Sequence, residues 1–126
     1  MKSAAIILGI VLIIFALNIW VGHFVNQHID EMMPHIDNAE SALRAGDVEK
    51  AAENIKALKE KWDSSEKMWE AFVDHRESEN VETLLTRLQA MIQAGTPELM
   101  LPELEELQFF FEHLNDKQKF MLENIF

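Results

Sequence analysis

Apolar residues fall along this chain in two regimes. From Ala4 to Val21 the sequence reads AAIILGIVLIIFALNIWV, with no charge and a single amide, Asn18. Such a segment has no polar face to turn to water. At 1.5 Å per residue it reaches roughly 27 Å, and Gly22 to Val25 can extend it to the ~30 Å of a hydrocarbon core. Beyond residue 28 apolar positions recur every three or four residues, and nothing alternates long enough to make a strand. Ile29, Met32, Ile36, Ala39 and Leu43 form one stripe, and Val48, Ala51, Ile55, Leu58, Trp62, Trp69 and Phe72 a second. Val81, Leu84, Leu85, Leu88, Met91 and Ile92 form a third, and Met100, Leu104, Leu107, Phe111 and Leu114 a fourth. Phe120, Met121, Ile125 and Phe126 suggest a short last helix. The pattern predicts an all-α protein: an N-terminal transmembrane helix, then antiparallel helical hairpins that close into a four-helix bundle or stack one on the next.

Helix breakers sharpen the boundaries. Ala45-Gly46-Asp47 sets a left-handed glycine beside an N-cap aspartate, and Ala94-Gly95-Thr96-Pro97 sets one before an N-cap threonine with proline at the first helical position. Ser78 or Asn80 is expected to cap the third helix, and Asn115 with Gln118 to open the last. Pro34 predicts a kink or a fresh start in the first amphipathic segment, and Pro102 a kink or a late start in the fourth. Shifted by 49 residues, Ser41–Trp62 lies over Ala90–Phe111, with Ala45, Gly46, Glu49 and Leu58 meeting Ala94, Gly95, Glu98 and Leu107. This suggests two copies of one helix–turn–helix unit. The corner Ala45-Gly46-Asp47-Val48-Glu49-Lys50-Ala51 resembles that of tetratricopeptide-like hairpins, which implies a stacked-hairpin geometry.

Charge assigns an orientation. Lys2 and the α-amino group flank the apolar segment on one side, His23, His28, Asp30 and Glu31 on the other. The positive-inside bias then puts the N-terminus in the cytoplasm. Residues 1–27 are expected to be a membrane anchor and residues 28–126 an extracytoplasmic helical domain, with Trp20 and Phe24 near the outer interface. No small-residue cleavage site follows the apolar stretch, which argues for an anchor over a cleaved signal peptide. Ala5 and Gly9 form a small-xxx-small pair within it. The net charge is −11 and cysteine is absent. This excludes a disulfide scaffold and a thiolate metal site, and argues against nucleic acid or an anionic lipid surface as partner. Residues 47–76 are nearly balanced, with Asp63 and Lys67 spaced for an i,i+4 pair, whereas residues 77–115 hold eight acids against one base, Arg87.

Few residues offer chemistry. His28, Glu31 and His35 could align two imidazoles and a carboxylate on one helix face, a weak metal-site candidate that Pro34 interrupts. Asp74-His75 and Glu112-His113 are expected to close the second and fourth helices, where a histidine would be favoured in its charged form. Asp74, His75, Gly46 and Gly95 are expected to be structural corners. Phe109-Phe110-Phe111 is harder to absorb, because three consecutive helical residues sweep ~200° and no single packing face takes all of them. Either neighbouring elements such as Ile125-Phe126 cover the outer rings, or Phe109 and Phe110, with Glu103, Glu105 and Glu106, mark a partner surface.

The run from Trp62 through WEAFVDHRESEN (69–80), then LLTRLQAMI, ELEELQFFFEHL and a terminal ENIF behind one apolar segment, resembles a family of short single-pass bacterial membrane proteins known as domain of unknown function four-three-six-three. The resemblance implies an anchor with a helical domain and supplies no activity. The expected role is a non-enzymatic interaction or scaffold module that docks on another membrane or envelope protein, or on a second copy of itself, without a cofactor. The alternative is an extracytoplasmic ligand- or metal-sensing bundle. No motif of a nucleophile, oxyanion-donor loop or redox site is present, so no enzyme is expected.

Overall fold

A computed structural model describes residues 1–125, with side chains through Lys117. Four α-helices make up the chain: α1 (Lys2–Arg44), α2 (Val48–Phe72), α3 (His75–Ala94) and α4 (Met100–Ile125), the last preceded by a single 3₁₀ turn, Pro97–Leu99. They run up, down, up and down. Both α1 and α3 pack on α2 and α4, which closes a four-membered ring. A stack of hairpins would instead lay α1 against α3, so the tetratricopeptide-like alternative does not hold. The two halves do share their corners.

Those corners have a definite geometry. Gly46 and Gly95 are the two glycines with positive φ, +77° and +69°. At the first, Gly46 N–H donates to Leu43 C=O and Asp47 N–H to Ala42 C=O; at the second, Gly95 N–H donates to Ile92 C=O and Thr96 N–H to Met91 C=O. Both are Schellman caps, which need the left-handed conformation that a Cβ disfavours. Asp47 then caps α2 by accepting from Lys50 N–H at 3.1 Å. Thr96 does not cap the next helix; its hydroxyl turns back toward Met91 C=O.

The core follows the four stripes. Ile29, Met32, Ile36, Ala39, Ile55, Leu58, Trp62, Trp69, Val81, Leu84, Leu85, Leu88, Met100, Leu104, Leu107, Phe111 and Leu114 are all buried. At its centre Trp62 and Trp69 stack with ring centroids 5.2 Å apart, and Phe111 meets Trp62 at 6.3 Å. Trp69 Nε1–H donates to buried Ser65 Oγ at 2.8 Å. Val48 and Phe72, at the ends of the second stripe, are exposed.

Several expectations are corrected. Pro34 does not restart α1, which runs through it as one 43-residue helix, roughly 64 Å along its path. Pro34 and Asp30, the residue whose carbonyl loses a partner, are both exposed, while Met32 and Ile36 on the opposite side of the helix lie in the core, and their burial holds the helix together across the missing bond. Pro102 falls in the first turn of α4, where its absent N–H has no intrahelical partner in any case; the late start expected of it is the outcome. Neither Ser78 nor Asn80 caps α3, because Asp74 does. Asn115 and Gln118 open no new helix, since α4 continues to Ile125. The side chains of Phe120, Met121 and Ile125, and all of Phe126, lie outside the described residues. Asp63 pairs with Lys59 at 2.6 Å in place of Lys67.

Residues 4–14 stand outside the bundle. Ile6, Ile7, Leu8, Ile10, Val11, Leu12, Ile13, Ile14, Leu17, Ile19 and Trp20 are all exposed. Among the described residues α1 is the one helix long and apolar enough to cross a membrane, with a mean hydropathy of 2.8 over its most apolar window and none of that window buried. Asn18 satisfies its amide within the helix by donating to Ile14 C=O at 3.0 Å.

Candidate interaction surface

The three consecutive phenylalanines of α4 meet three environments. Phe111 lies fully in the core, Phe110 is half-buried against it, and Phe109 is 66% exposed. A helix buries one stripe, so a residue 200° away from Phe111 has no partner inside its own bundle. Phe109 stacks on His113 (6.4 Å, 10°) and touches Phe110 edge-on at 6.5 Å. Among the described residues nothing covers the outer face of the Phe109 ring.

The expected surface divides into two strips set by i,i+3 and i,i+4 spacing. Glu103, Glu106 and Phe110 run along the α3 side. Glu106 and Phe110 line a shallow groove of about 310 Å³ with Asn80, Thr83, Leu84 and Arg87. Glu103 is turned inward, 3.9 Å from Arg87, and its Oε2 is buried with no hydrogen-bonding partner among the described residues. Glu105, Phe109 and His113 form the other strip, with Glu105 reaching Arg44 of α1 at 3.7 Å. Phe109 and Glu106 therefore remain exposed, with half-buried Phe110 beside them, whereas Glu103 and Glu105 tie α4 to its neighbours.

The metal-site candidates are held apart. His28 Nδ1 lies 2.9 Å from Phe24 C=O, and its ring packs against Phe24 and edge-on against Trp69. Glu31 faces Lys61 at 3.7 Å. His35 Nδ1 lies 3.3 Å from Asn54 Oδ1. Among the described residues no three His, Asp or Glu side chains converge as metal ligands.

The Asp74-His75 corner plays a different part from the one expected. Asp74 opens α3 by accepting from Arg76 N–H at 3.0 Å, so His75 sits at a helix N-terminus in place of the C-terminus expected for it. Its exposed ring pairs with Glu79 at 2.9 Å. Glu112 and His113 lie inside α4 and close no helix.

Two clusters escaped the sequence pattern. Trp62 Nε1–H donates to Glu82 Oε2 at 2.8 Å, while Lys59 Nζ reaches Glu82 Oε1 and Asp63 Oδ1, each at 2.6 Å. Burial alone would lower the Lys59 pKa, but its bonds to Asp63 and Glu82 outweigh that and hold it above the usual lysine value. A buried tryptophan always needs an acceptor for its N–H; the sequence signals the need without saying which helix meets it. The second cluster is Glu40, buried between α1 and α4, whose Oε1 has no partner among the described residues. Desolvation pushes its pKa up, Arg44 pulls it back, and Asp37 and Glu105 push it further up.

No curated protein and no solved structure matches the chain. A family match spans residues 19–125, the end of the apolar segment and the whole bundle, and on that match this four-helix protein belongs to the family described as Domain of unknown function (DUF4363).

Proposed function

We propose that this chain is a non-enzymatic docking module, anchored by α1 with its N-terminus in the cytoplasm, whose acidic bundle binds another membrane or envelope protein outside the cell membrane. Phe109 carries the reading. A soluble bundle has no reason to keep a phenylalanine two-thirds exposed beside a second, half-exposed one, and such pairs are favoured anchors at protein interfaces. Acidic surroundings select the partner's chemistry: Glu106 and Glu112 flank the rings, and residues 23–126 carry a net −12. A basic segment with an apolar pocket fits such a surface, with the aromatic ring supplying affinity and the acids steering the encounter. The non-enzymatic part of the reading is supported by the sequence, which carries no nucleophile–base pairing and no phosphate-binding loop.

A photoreactive phenylalanine analogue at position 109, with a control at exposed Glu53 on α2, tests the reading in intact cells. A discrete heterologous adduct from position 109, absent from position 53 and weakened by salt, is the expected result. Adducts only with the chain itself would make it a self-associating protein, and none from either position would remove the docking role. Because the chain lacks cysteine, Leu99→Cys also reports orientation: it should react with an impermeant maleimide in whole cells.

A further inference from the structure

Membrane anchors are commonly joined to their domains by a flexible linker, and this chain has none. α1 passes without a break from the exposed apolar segment into the core: Trp20 is half-exposed, Val21 packs on the core, Gly22 and Val25 are buried, and the helix continues to Arg44. The end of the bundle nearest the apolar segment is therefore fixed relative to it.

That end carries a group of aromatic rings. Phe72, the last residue of α2, meets Trp20 edge-on at 5.7 Å and Phe24 at 6.1 Å, and Trp20 stacks on Phe24 at 6.0 Å. Trp20 remains 50% exposed and Phe72 36% exposed, facing away from the core that takes up Trp69 just below them. Around the rings lies a polar rim. Asn18, Val21, Phe72, Val73, Asp74, Glu77, Leu114 and Lys117 line a cleft of about 270 Å³, and Lys117 pairs with Glu77 at 3.6 Å. The α4 backbone continues about two turns beyond Lys117. An amphipathic tryptophan packed on two phenylalanines, beside a rim of charged and amide groups, suits the boundary between acyl chains and headgroups.

We infer that the α2–α3 corner is a second bilayer contact, with Phe72 and Trp20 embedded at the lipid–water interface, so that the bundle stands end-on on the membrane with no hinge. This rests on the anchor reading above. Continuity with the apolar segment names lipid as the occupant, because any bilayer that surrounds Leu12 to Leu17 ends beside these rings. Asp74 and Glu77 limit the depth: their carboxylates belong among headgroups, which leaves Phe72 in the interfacial layer. The opposite end, with Gly46 and Gly95, then stands roughly 36 Å away, the rise from Trp20 to Arg44.

Site-directed spin labelling of the full chain in liposomes tests this, starting from a sequence with no cysteine to remove. Single variants Leu12→Cys, Phe72→Cys, His75→Cys and Leu99→Cys are labelled and probed with oxygen, which concentrates in lipid, and with a water-soluble nickel chelate. The label at 12 should be open to oxygen and closed to the chelate. Labels at 72 and 75 should show chelate collisions reduced about threefold or more relative to 99, with oxygen access retained, as expected at an interface. His75 is well exposed and outside the core, so it reports even where Phe72→Cys perturbs the rings. If 72 and 75 match 99 while 12 is in lipid, the anchor stands and the end-on contact is wrong. If both reagents are excluded at 72 and 75, protein covers the corner, and lipid contact is likewise refuted. If 12 is open to the chelate, the anchor reading fails and this inference falls with it.

Discussion

Glu82→Ala should loosen α3 from α2 through one particular bond. Trp62 is fully buried, and its Nε1–H is met by Glu82 Oε2 at 2.8 Å. Removing the carboxylate leaves that donor unpaired, which costs about 1–3 kcal/mol. The Glu82 side chain is 38% exposed, so water reaches the site and the ion pair with Lys59 is screened; we expect the lower half of that range. Glu82→Gln keeps an acceptor and should cost less than Glu82→Ala. Trp62→Phe removes the donor instead, and in that background Glu82→Ala should become milder by about 1 kcal/mol, a coupling well above the ~0.3–0.5 kcal/mol scatter of independent sites. Guanidinium unfolding of the full chain in detergent micelles, followed by loss of helical circular dichroism, measures all four corners of the cycle. A coupling inside that scatter would refute the assignment of Glu82 as the acceptor that Trp62 requires. Lys59 adds a pH signature. Its folded pKa lies above the ordinary 10.5, so the stability it contributes is complete below 10.5 and is lost as pH rises through the folded value. The penalty of Glu82→Ala should therefore shrink at strongly alkaline pH.

Three further outcomes follow from the same geometry. Gly46→Ala and Gly95→Ala should each cost about 1–2 kcal/mol, although a Cβ would meet no neighbour at either position, because both glycines are left-handed; comparable unfolding midpoints for wild type and variants would refute the backbone argument. Glu40→Gln should raise the thermal midpoint at pH 7, since burial holds the Glu40 pKa above 4.5 and its charged form costs stability; the gain should vanish as pH falls below 4.5, where wild-type Glu40 is protonated in both states, and a gain that persisted there would have another cause. Pro34→Ala should stabilise the protein by about 1–3 kcal/mol by restoring the bond from residue 34 N–H to Asp30 C=O at an exposed site where no packing is lost; an unchanged denaturation midpoint would show that solvation of Asp30 already compensates in full.

What the sequence made legible was whatever depends on short-range periodicity. The stripes through Ile29–Ala39, Ala51–Trp69, Val81–Leu88 and Met100–Leu114 became the core because helical spacing decides which side chains share a face. Gly46 and Gly95 were legible because a left-handed cap has few chemical solutions. The failures are equally local in cause. Pro34 reads as a break because the rule considers the backbone alone, while the burial of Met32 and Ile36 on the far side of the helix decides the outcome. Asp74-His75 reads as the end of α2, yet the Asp74 carboxylate caps the helix that follows it, and extended Val73 separates the two helices. Of the candidate surface, the surplus of Phe109 and the two strips follow from angular geometry, but which of Glu103, Glu105 and Glu106 is tied to a neighbouring helix depends on where Arg87 and Arg44 lie across the bundle. No one-dimensional pattern holds that information.

The continuity of α1 bears on how docking would work. A domain on a flexible tether samples many heights and angles, and spends conformational freedom whenever it binds. On the anchor reading, this bundle has already lost that freedom in folding, since Val25, Ile29 and Met32 are core residues of the same helix that carries Leu12 and Leu17. On the proposed reading, Phe109 is then offered at one height and tilt, and the complementary surface belongs to a protein held in the same membrane. The acidic charge works in the same direction. On that reading, anionic headgroups would repel the sides of the bundle, and contact would be left to the end that carries Trp20 and Phe72 with Asp74 and Glu77 at its rim. On the proposed reading, fixed orientation and like-charge repulsion would together keep the Phe109 strip free of lipid and open to a protein.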